Sequence, residues 1–191
     1  MRQYSPLTHH ALPVGARLTQ PAGPGRVDLD DPAFAVMTDL AVVAAATTHA
    51  DEFADKAHAQ MIQRGVRLLF VLDRDSRVVG VLTATDLLGE KPLRLVQSQG
   101  LVRGELRVGD LMTPADRLEV MSIQDVSQMR VGHVVATLKA VGRQHLLVEE
   151  EDGQRVRGIF SASQVARQLG VQLHTHEVAS TFADIEAALV R

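Results

Sequence analysis

The sequence predicts an α/β fold in which one structural unit is used twice. Residues 65–89 resemble residues 142–167, with one additional residue in the second turn. In each copy, two short apolar stretches flank a turn of charged and small residues, and a helix-forming segment follows. An amphipathic helix ending at a glycine precedes each copy. A period this long, occurring only twice, favours a pseudo-symmetric pair of units over an extended solenoid.

The two hairpins are the clearest predicted elements. The strands are expected at residues 68–72 and 78–82 in the first copy and at residues 146–148 and 156–160 in the second. Turn residues 73–76 and 151–154 join them, which favours antiparallel pairing. Short extended segments are expected at 36–38 and 111–114, so each unit reads strand, helix, strand, strand, helix.

The helices that precede the hairpins each have an apolar face. The faces consist of Phe53, Ala54, Ala57, Met61 and Ile62 in the first helix, and of Val131, Val134, Val135 and Leu138 in the second. Gly65 and Gly142 follow these helices, where a residue in the left-handed conformation is expected. Another helix is predicted at 93–102. After residue 170 we expect a strand and a short amphipathic helix with Phe182, Ile185 and Leu189 on one face.

These elements divide the chain into five parts. They are a Pro/Gly-rich N-terminal arm at 1–31, the first repeat at 32–90, an inter-repeat segment at 91–107, the second repeat at 108–170 and a C-terminal extension at 171–191.

Composition narrows the classes of function. The net charge of −3 and the lack of a Lys/Arg run argue against a nucleic-acid binder, and the aromatic content of 3% disfavours base stacking. The absence of cysteine excludes disulfides and thiolate sites. The N-terminus has no apolar signal-peptide core, and the longest apolar run, 40–46, is too short to span a bilayer. We therefore expect a cytoplasmic protein without a membrane partner.

The order, spacing and duplication of these segments resemble the CBS domain, and the pair resembles the Bateman module, over roughly residues 32–170. The most telling segments are GVRLLFVLDRDSRVVGVLTATDLL and LRVGDLMTP. The resemblance implies two sheets packed together, helices outside, and two symmetry-related clefts between the repeats. It also implies an adenosine-containing ligand (AMP, ADP, ATP or S-adenosylmethionine) and a homodimer formed through helices.

Thr83 and Asp86, at the junction of strand and helix, permit two interpretations. The structural one is a helix capping box, which also suits Ser161 and Gln164 in the second copy. The functional one is a ribose clamp, because a carboxylate can accept from both hydroxyls of a ribose. The resemblance assigns that role to the aspartate. Gln164 has one acceptor oxygen, so we expect both copies to cap a helix and only the first to hold a ribose.

The remaining candidate ligand-binding residues follow from the resemblance. Arg67 and His145 are candidate phosphate contacts, and Arg143 is a weaker candidate. The alternative for Arg67 is that its side chain lies along the strand edge with its guanidinium in solvent. Backbone and small apolar groups would hold an adenine at Val36, Met37, Thr38, Met112 and Thr113, which could equally be ordinary strand and core.

No catalytic set or metal site is predicted. There is no nucleophile elbow or phosphate-binding loop, and no ordered Ser-His-Asp triad. His174 and His176 form an incomplete metal site, as do His9 and His10. We therefore predict a non-catalytic regulatory module without a resident cofactor, which senses an adenosine-containing ligand and acts on an unknown protein target. The alternative is a structural or protein-interaction dimer with no small-molecule ligand.

Overall fold

Eight strands form two four-stranded sheets in the part of the chain that the computed structural model describes, residues 11–17, 26–100, 102–171 and 183–185. The first sheet has the order β2 (Thr47–His49), β3 (Leu68–Leu72), β4 (Val78–Thr83) and β5 (Thr113–Pro114). The second has the order β1 (Thr38–Asp39), β8 (Val156–Ser161), β7 (His145–Glu149) and β6 (Val120–Ser122).

Helices connect and cover these strands. The α-helices are α1 (Ala54–Arg64), α2 (Ala84–Leu88), α3 (Glu90–Gln99), α4 (Val108–Leu111), α5 (Ile123–Gln128), α6 (Val131–Val141) and α7 (Ala162–Gln168). Short 3₁₀ turns occur at Ala33–Val36, Arg103–Glu105 and Ala115–Arg117. The α/β prediction is confirmed.

The two predicted hairpins are present. β3 pairs antiparallel with β4, and β7 with β8; the register places Leu68 opposite Thr83 and His145 opposite Ser161. The predicted glycine caps are also confirmed: Gly65 and Gly142 have φ of 65° and 62°, so each ends its helix in the left-handed region that a side chain disfavours.

Two features of the sheets were not predicted. Strands β2 and β6 run parallel to β3 and β7, with α1 and the α5–α6 pair as their crossovers. The short strands at the start of each unit also leave their own unit: β1 pairs with β8, and β5 pairs with β4. Each sheet therefore contains one strand from the other repeat, which ties the two repeats together.

Helix positions differ from the prediction in two places. The inter-repeat helix begins at Glu90 and ends at Gln99, three residues earlier than expected, because Gly100 adopts the left-handed conformation that terminates it. On α1, Ala54, Ala57 and Met61 are buried as expected, but Ile62 is 69% exposed. Phe53 is also exposed, with the Arg107 guanidinium 4.6 Å from its ring centroid.

The core has three layers of buried apolar side chains. Leu68, Phe70 and Val81 of the first sheet pack against Leu147 and Ile159 of the second. The outer layers lie between each sheet and its helices. Ala54, Ala57 and Met61 belong to the first of these, and Val131, Val134 and Leu138 to the second. The prediction of packed sheets with helices outside is therefore confirmed.

Two glycines allow the exchanged strands to approach. A Cβ at Gly80 would lie 2.5 Å from the Thr113 carbonyl oxygen, and a Cβ at Gly158 would lie 2.6 Å from the Met37 sulfur. Gly80 is on β4 beside β5, and Gly158 is on β8 beside β1. The same small residue therefore occupies the equivalent position at both exchanged strands because no side chain fits there.

The chain ends also contact the second repeat. The Val27 amide donates to the Gln168 carbonyl over 3.0 Å, so the described end of the N-terminal arm is attached to α7. Ile185 is fully buried in the outer core of that repeat. The predicted strand after residue 171 and the residues Phe182 and Leu189 lie outside the described residues.

Candidate ligand-binding cleft

A cavity of about 760 Å³ opens between the two repeats. Its apolar wall comes from both sheets and from the segment after β1, and includes Leu40, Val43, Ala45, Leu68, Phe70 and Ile159. Its polar side chains are Thr38, Arg67, His145, Ser161, Ser163, Gln164 and Arg167. An apolar lining with a few polar side chains is typical of small-molecule sites.

The exchanged strand β1 contacts α7 directly at this cavity. Thr38 Oγ1 donates to Gln164 Oε1 over 3.1 Å. Ser161, at the start of α7, makes no capping hydrogen bond with its side chain, and its Oγ lies 3.1 Å from Ser163 Oγ. The expectation that Ser161 and Gln164 form a capping box is therefore wrong. The Gln164 side chain instead accepts a hydrogen bond from Thr38 of the other repeat.

An ion pair fixes β1 beside the cavity. Arg157 donates from Nε to Asp39 Oδ1 over 2.9 Å and from Nη2 to Asp39 Oδ2 over 2.6 Å. The Arg157 hydrogen bond, helped by the Ala41 amide, lowers the pKa of Asp39, and the same contact raises the pKa of Arg157. Such a two-point contact sets the orientation of the strand as well as its position.

His145 is uncharged at neutral pH. Burial, with the nearby positive charge of Arg67, lowers its pKa from 6.5 to about 4. Arg67 and His145 belong to opposite repeats, and both line the cavity. A neutral imidazole can still donate one hydrogen bond, so His145 can contact a ligand without adding charge.

The equivalent position in the first repeat is built differently. Thr83 Oγ1 accepts from the Asp86 amide over 3.2 Å, and Asp86 Oδ2 accepts from the Thr83 amide over 2.9 Å, which confirms the capping box. Asp86 Oδ2 also accepts from Thr83 Oγ1 over 2.6 Å, and Lys91 Nζ lies 3.8 Å from Asp86 Oδ1. Both carboxylate oxygens thus have neighbours in the protein.

Thr83, Asp86 and Lys91 form a polar group at the junction of β4 and α2, which we call the Asp86 edge, and Lys91 is the member that the sequence did not predict. Its ammonium donates to the Leu111 carbonyl and, over 3.1 Å, to the Met112 carbonyl. It therefore joins Asp86 to the segment leading into β5. The only available signal was its position, five residues after Asp86 on the next helix.

Comparison with known proteins agrees with the two-repeat fold described above. A model of the CBS domain family matches residues 33–92. Among solved structures, an uncharacterized conserved protein from Pyrococcus horikoshii aligns over 78% of this chain and 99% of its own, with 23% identity and a TM-score of 0.55. The chain has the fold of a tandem CBS-domain pair.

Two similar solved structures contain ligands. CBSX2, which occurs in Arabidopsis thaliana, was solved in complex with AMP; it aligns over 72% of this chain and 94% of its own, with 24% identity and a TM-score of 0.51. The CBS pair of protein MJ0100, in complex with 5′-methylthioadenosine and S-adenosyl-L-methionine, aligns over 75% and 97%, with 17% identity and a TM-score of 0.52. Comparison with curated proteins finds no match.

The predicted site residues of this protein fall into three groups. Thr38, Arg67 and His145 line the cavity. A second group lies at the Asp86 edge or on the adjoining strand β5, and it consists of Thr83, Asp86, Met112 and Thr113. Val36 and Met37 place their side chains in the core of the second repeat. The predicted ligand-binding residues thus lie at two separate places, one at the cavity and one at the Asp86 edge, with Val36 and Met37 in the core.

Two other predictions concern metals and membranes. In residues 11–17, 26–100, 102–171 and 183–185, no three His, Asp or Glu side chains come together as a metal site would require. His9, His10, His174 and His176 lie outside those ranges. Within the same ranges, every helix is too short or too polar to cross a bilayer.

Proposed function

We propose that this CBS pair is a non-catalytic regulatory module that senses an adenosine-containing ligand in the cavity between its repeats. The cavity itself carries the proposal: it has about 760 Å³ of space, and both apolar and polar side chains line it. A nucleotide has the same division between an apolar base and a polar sugar-phosphate. The AMP and S-adenosylmethionine complexes of the two similar structures support the same ligand class.

The lining residues suggest how such a ligand would lie. The base would contact the apolar wall that includes Leu40 and Phe70, and the ribose would face Ser161 and Gln164. Arg67 and Arg167 would contact phosphate, because guanidinium groups pair well with phosphate oxygens. His145 would add an uncharged hydrogen bond beside Arg67.

The Asp86 edge is a second candidate ribose site. Its carboxylate already bonds to Thr83 and lies near Lys91. A ribose bound there would have to share or replace the Thr83 hydroxyl contact, with Met112 and Thr113 beside the base. We therefore propose the larger cavity as the main site and the Asp86 edge as a weaker one.

The signal would be a change in the relative tilt of the two repeats. The cavity takes Arg67 from one repeat and Ser161 and Gln164 from the other, and Thr38 bridges to Gln164. A ligand that contacts both repeats binds best at one tilt and shifts the population toward it. The protein would work as a cytoplasmic homodimer, and an unknown protein target would recognise the shifted conformation.

A thermal-shift panel tests the proposal. Purified protein is heated with AMP, ADP, ATP, S-adenosylmethionine or NAD, each at a concentration of about 1 mM. A ligand present at about 100 times its Kd stabilises the native state by about 2.7 kcal/mol, so the melting temperature should rise by several degrees. If none of the five compounds changes the melting temperature, the sensing proposal is wrong.

The second candidate function is a protein-interaction dimer without a ligand. Exposed apolar side chains on three consecutive helices favour it: Ile62 on α1, Leu88 on α2 and Leu93 on α3 are 69%, 60% and 57% exposed. A flat ligand panel together with stable self-association would support this function in place of sensing.

A further inference from the structure

The carboxylate of the Asp86 edge is already engaged by groups of the protein itself. Asp86 Oδ2 accepts from the Thr83 amide over 2.9 Å and from Thr83 Oγ1 over 2.6 Å. The Lys91 ammonium lies 3.8 Å from Asp86 Oδ1, and the Asp86 side chain is only 18% exposed. Each carboxylate oxygen therefore has a donor or a cation of this chain beside it.

Lys91 places its ammonium where the two repeats meet. An ammonium has three N–H donors, and that of Lys91 donates to the Leu111 carbonyl and, over 3.1 Å, to the Met112 carbonyl. The same ammonium faces Asp86. Asp86 belongs to the first repeat and Met112 to the second, so this single cation, carried by α3 between the repeats, contacts both of them.

The equivalent position of the second repeat carries no cation. Lys91 stands five residues after Asp86, and five residues after Gln164 stands Leu169, which is buried in the outer core. Gln164 Oε1 accepts from Thr38 over 3.1 Å, and both side chains line the cavity. The repeat motif is thus beside an open cavity in one copy and beside a charged side chain of the same chain in the other.

A ligand at the Asp86 edge would need the acceptors that Lys91 now uses. Ribose hydroxyls donate to a carboxylate, and an amino group on a base donates to carbonyl oxygens. A group tethered within the chain competes at an effective concentration on the order of millimolar. A ligand therefore binds this edge only if Lys91 moves away from it.

We propose that Lys91 is a built-in occupant of the Asp86 edge, so that each chain offers one open ligand site instead of two. The inference rests on the proposed function, because it concerns how many ligands the sensing module binds. It names Lys91 as the residue that sets this number and Asp86 as the group that Lys91 keeps from a ligand.

Calorimetric titration of wild type and Lys91→Met with AMP, ADP, ATP, S-adenosylmethionine and NAD measures the number of sites. Methionine keeps an unbranched apolar side chain but removes the ammonium. For whichever compound binds, wild type should bind one molecule per chain and Lys91→Met two, with the second site at least about tenfold tighter than in wild type. Adding Asp86→Asn to Lys91→Met should remove the second site and leave the first within about twofold.

Matched variants separate site occupancy from a general loss of charge. Lys56→Met removes an ammonium that pairs with Glu52 over 2.8 Å on the exposed side of α1, and should leave one site per chain. Lys91→Arg keeps a cation and should keep the second site closed. Circular dichroism checks folding, and if Lys91→Met does not fold, Lys91→Gln replaces it, because glutamine can still donate to a carbonyl.

The outcomes separate this inference from the proposed function. Two sites in wild type, or one site in folded Lys91→Met, would overturn the role of Lys91 while ligand sensing stands. A site that appears only in Lys91→Met and needs Asp86 would support the role of Lys91 while overturning the cavity as the main site. No binding of the five compounds to either protein would overturn both proposals.

Discussion

Thr38 Oγ1 and Gln164 Oε1 lie 3.1 Å apart although 126 residues separate them in the chain. In the first repeat the equivalent acid, Asp86, bonds instead to Thr83, three residues away. One position of the repeat thus serves as a local helix cap in one copy and as a link between repeats in the other. The two copies of the motif therefore have different roles, and the cavity of about 760 Å³ lies at the second.

The change Asp86→Gln separates capping from ribose binding at the first repeat. Glutamine is acceptable in a capping box, so the free energy of unfolding should fall by at most about 1 kcal/mol. A ribose held by the carboxylate would lose charge-assisted bonds, and nucleotide affinity at that edge would fall by roughly tenfold. Because we place the main site at Gln164, total ATP affinity should change by less than about threefold in calorimetric titration.

The contrary results for Asp86→Gln are specific. A loss of all nucleotide binding with folding intact would move the main site to the Asp86 edge. A variant that fails to fold would show that the capping box matters more to stability than a surface cap normally does.

The two glycines at the exchanged strands should respond unequally to alanine. At Gly80 the new Cβ would meet the Thr113 backbone oxygen at 2.5 Å, which cannot move without shifting β5. At Gly158 it would meet the flexible Met37 side chain. We expect Gly80→Ala to destabilise by roughly 2–4 kcal/mol and Gly158→Ala by roughly half that, measured by urea unfolding.

Two controls test the steric explanation for the glycines. Gly104→Ala should leave stability nearly unchanged because nothing lies within 4 Å of the new Cβ. Adding Met37→Ala to Gly158→Ala should cost less than the sum of the two single changes, because the contact between them disappears. Strict additivity would contradict the proposed clash.

His145 makes stability depend on pH. Its folded pKa of about 4 lies below the unfolded value of 6.5, so between these values the unfolded chain binds a proton that the native state does not. The stability that the neutral His145 contributes is therefore complete above pH 6.5 and is lost as the pH falls toward 4. The free energy of unfolding should fall by at most roughly 3 kcal/mol over this range.

The measurement is a series of urea unfolding curves from pH 7.5 to 4.5 for wild type and His145→Gln. The variant should lose less stability than wild type over this range, because glutamine takes up no proton. NMR titration of the His145 ring in the native protein is the independent check. A native pKa near 6.5 would contradict the assigned burial and Arg67 effects.

Homodimerisation is predicted to involve the exposed side chains of the helices. Light scattering at micromolar concentration should give twice the 20.7 kDa mass of one chain. Ile62→Glu on α1 should reduce the mass to that of a monomer by placing a charge in the interface. Val42→Glu changes a side chain that is 82% exposed on the segment after β1, and should leave the dimer intact. A monomeric wild type would overturn this prediction.

The sequence alone determined the hairpins, the buried positions Ala54, Ala57 and Met61 of α1, the apolar face of α6, and the glycine caps at Gly65 and Gly142. Each depends on short-range causes: side-chain periodicity, turn residues and the sterics of positive φ. The Thr83–Asp86 capping box was predictable for the same reason, since both partners lie within one helical turn. The tandem repeat could be seen because these local patterns occur twice in the same order.

Only the tertiary structure decided which strands exchange and which cleft is open. The pairing of β1 with β8 depends on contacts across more than a hundred residues, including Asp39 with Arg157. Lys91 reaching Asp86 and Met112, and Thr38 reaching Gln164, likewise depend on where the repeats meet. Local patterns of polarity specify what an element is, whereas its distant partners are set by how the two sheets pack, which no single segment of the sequence encodes.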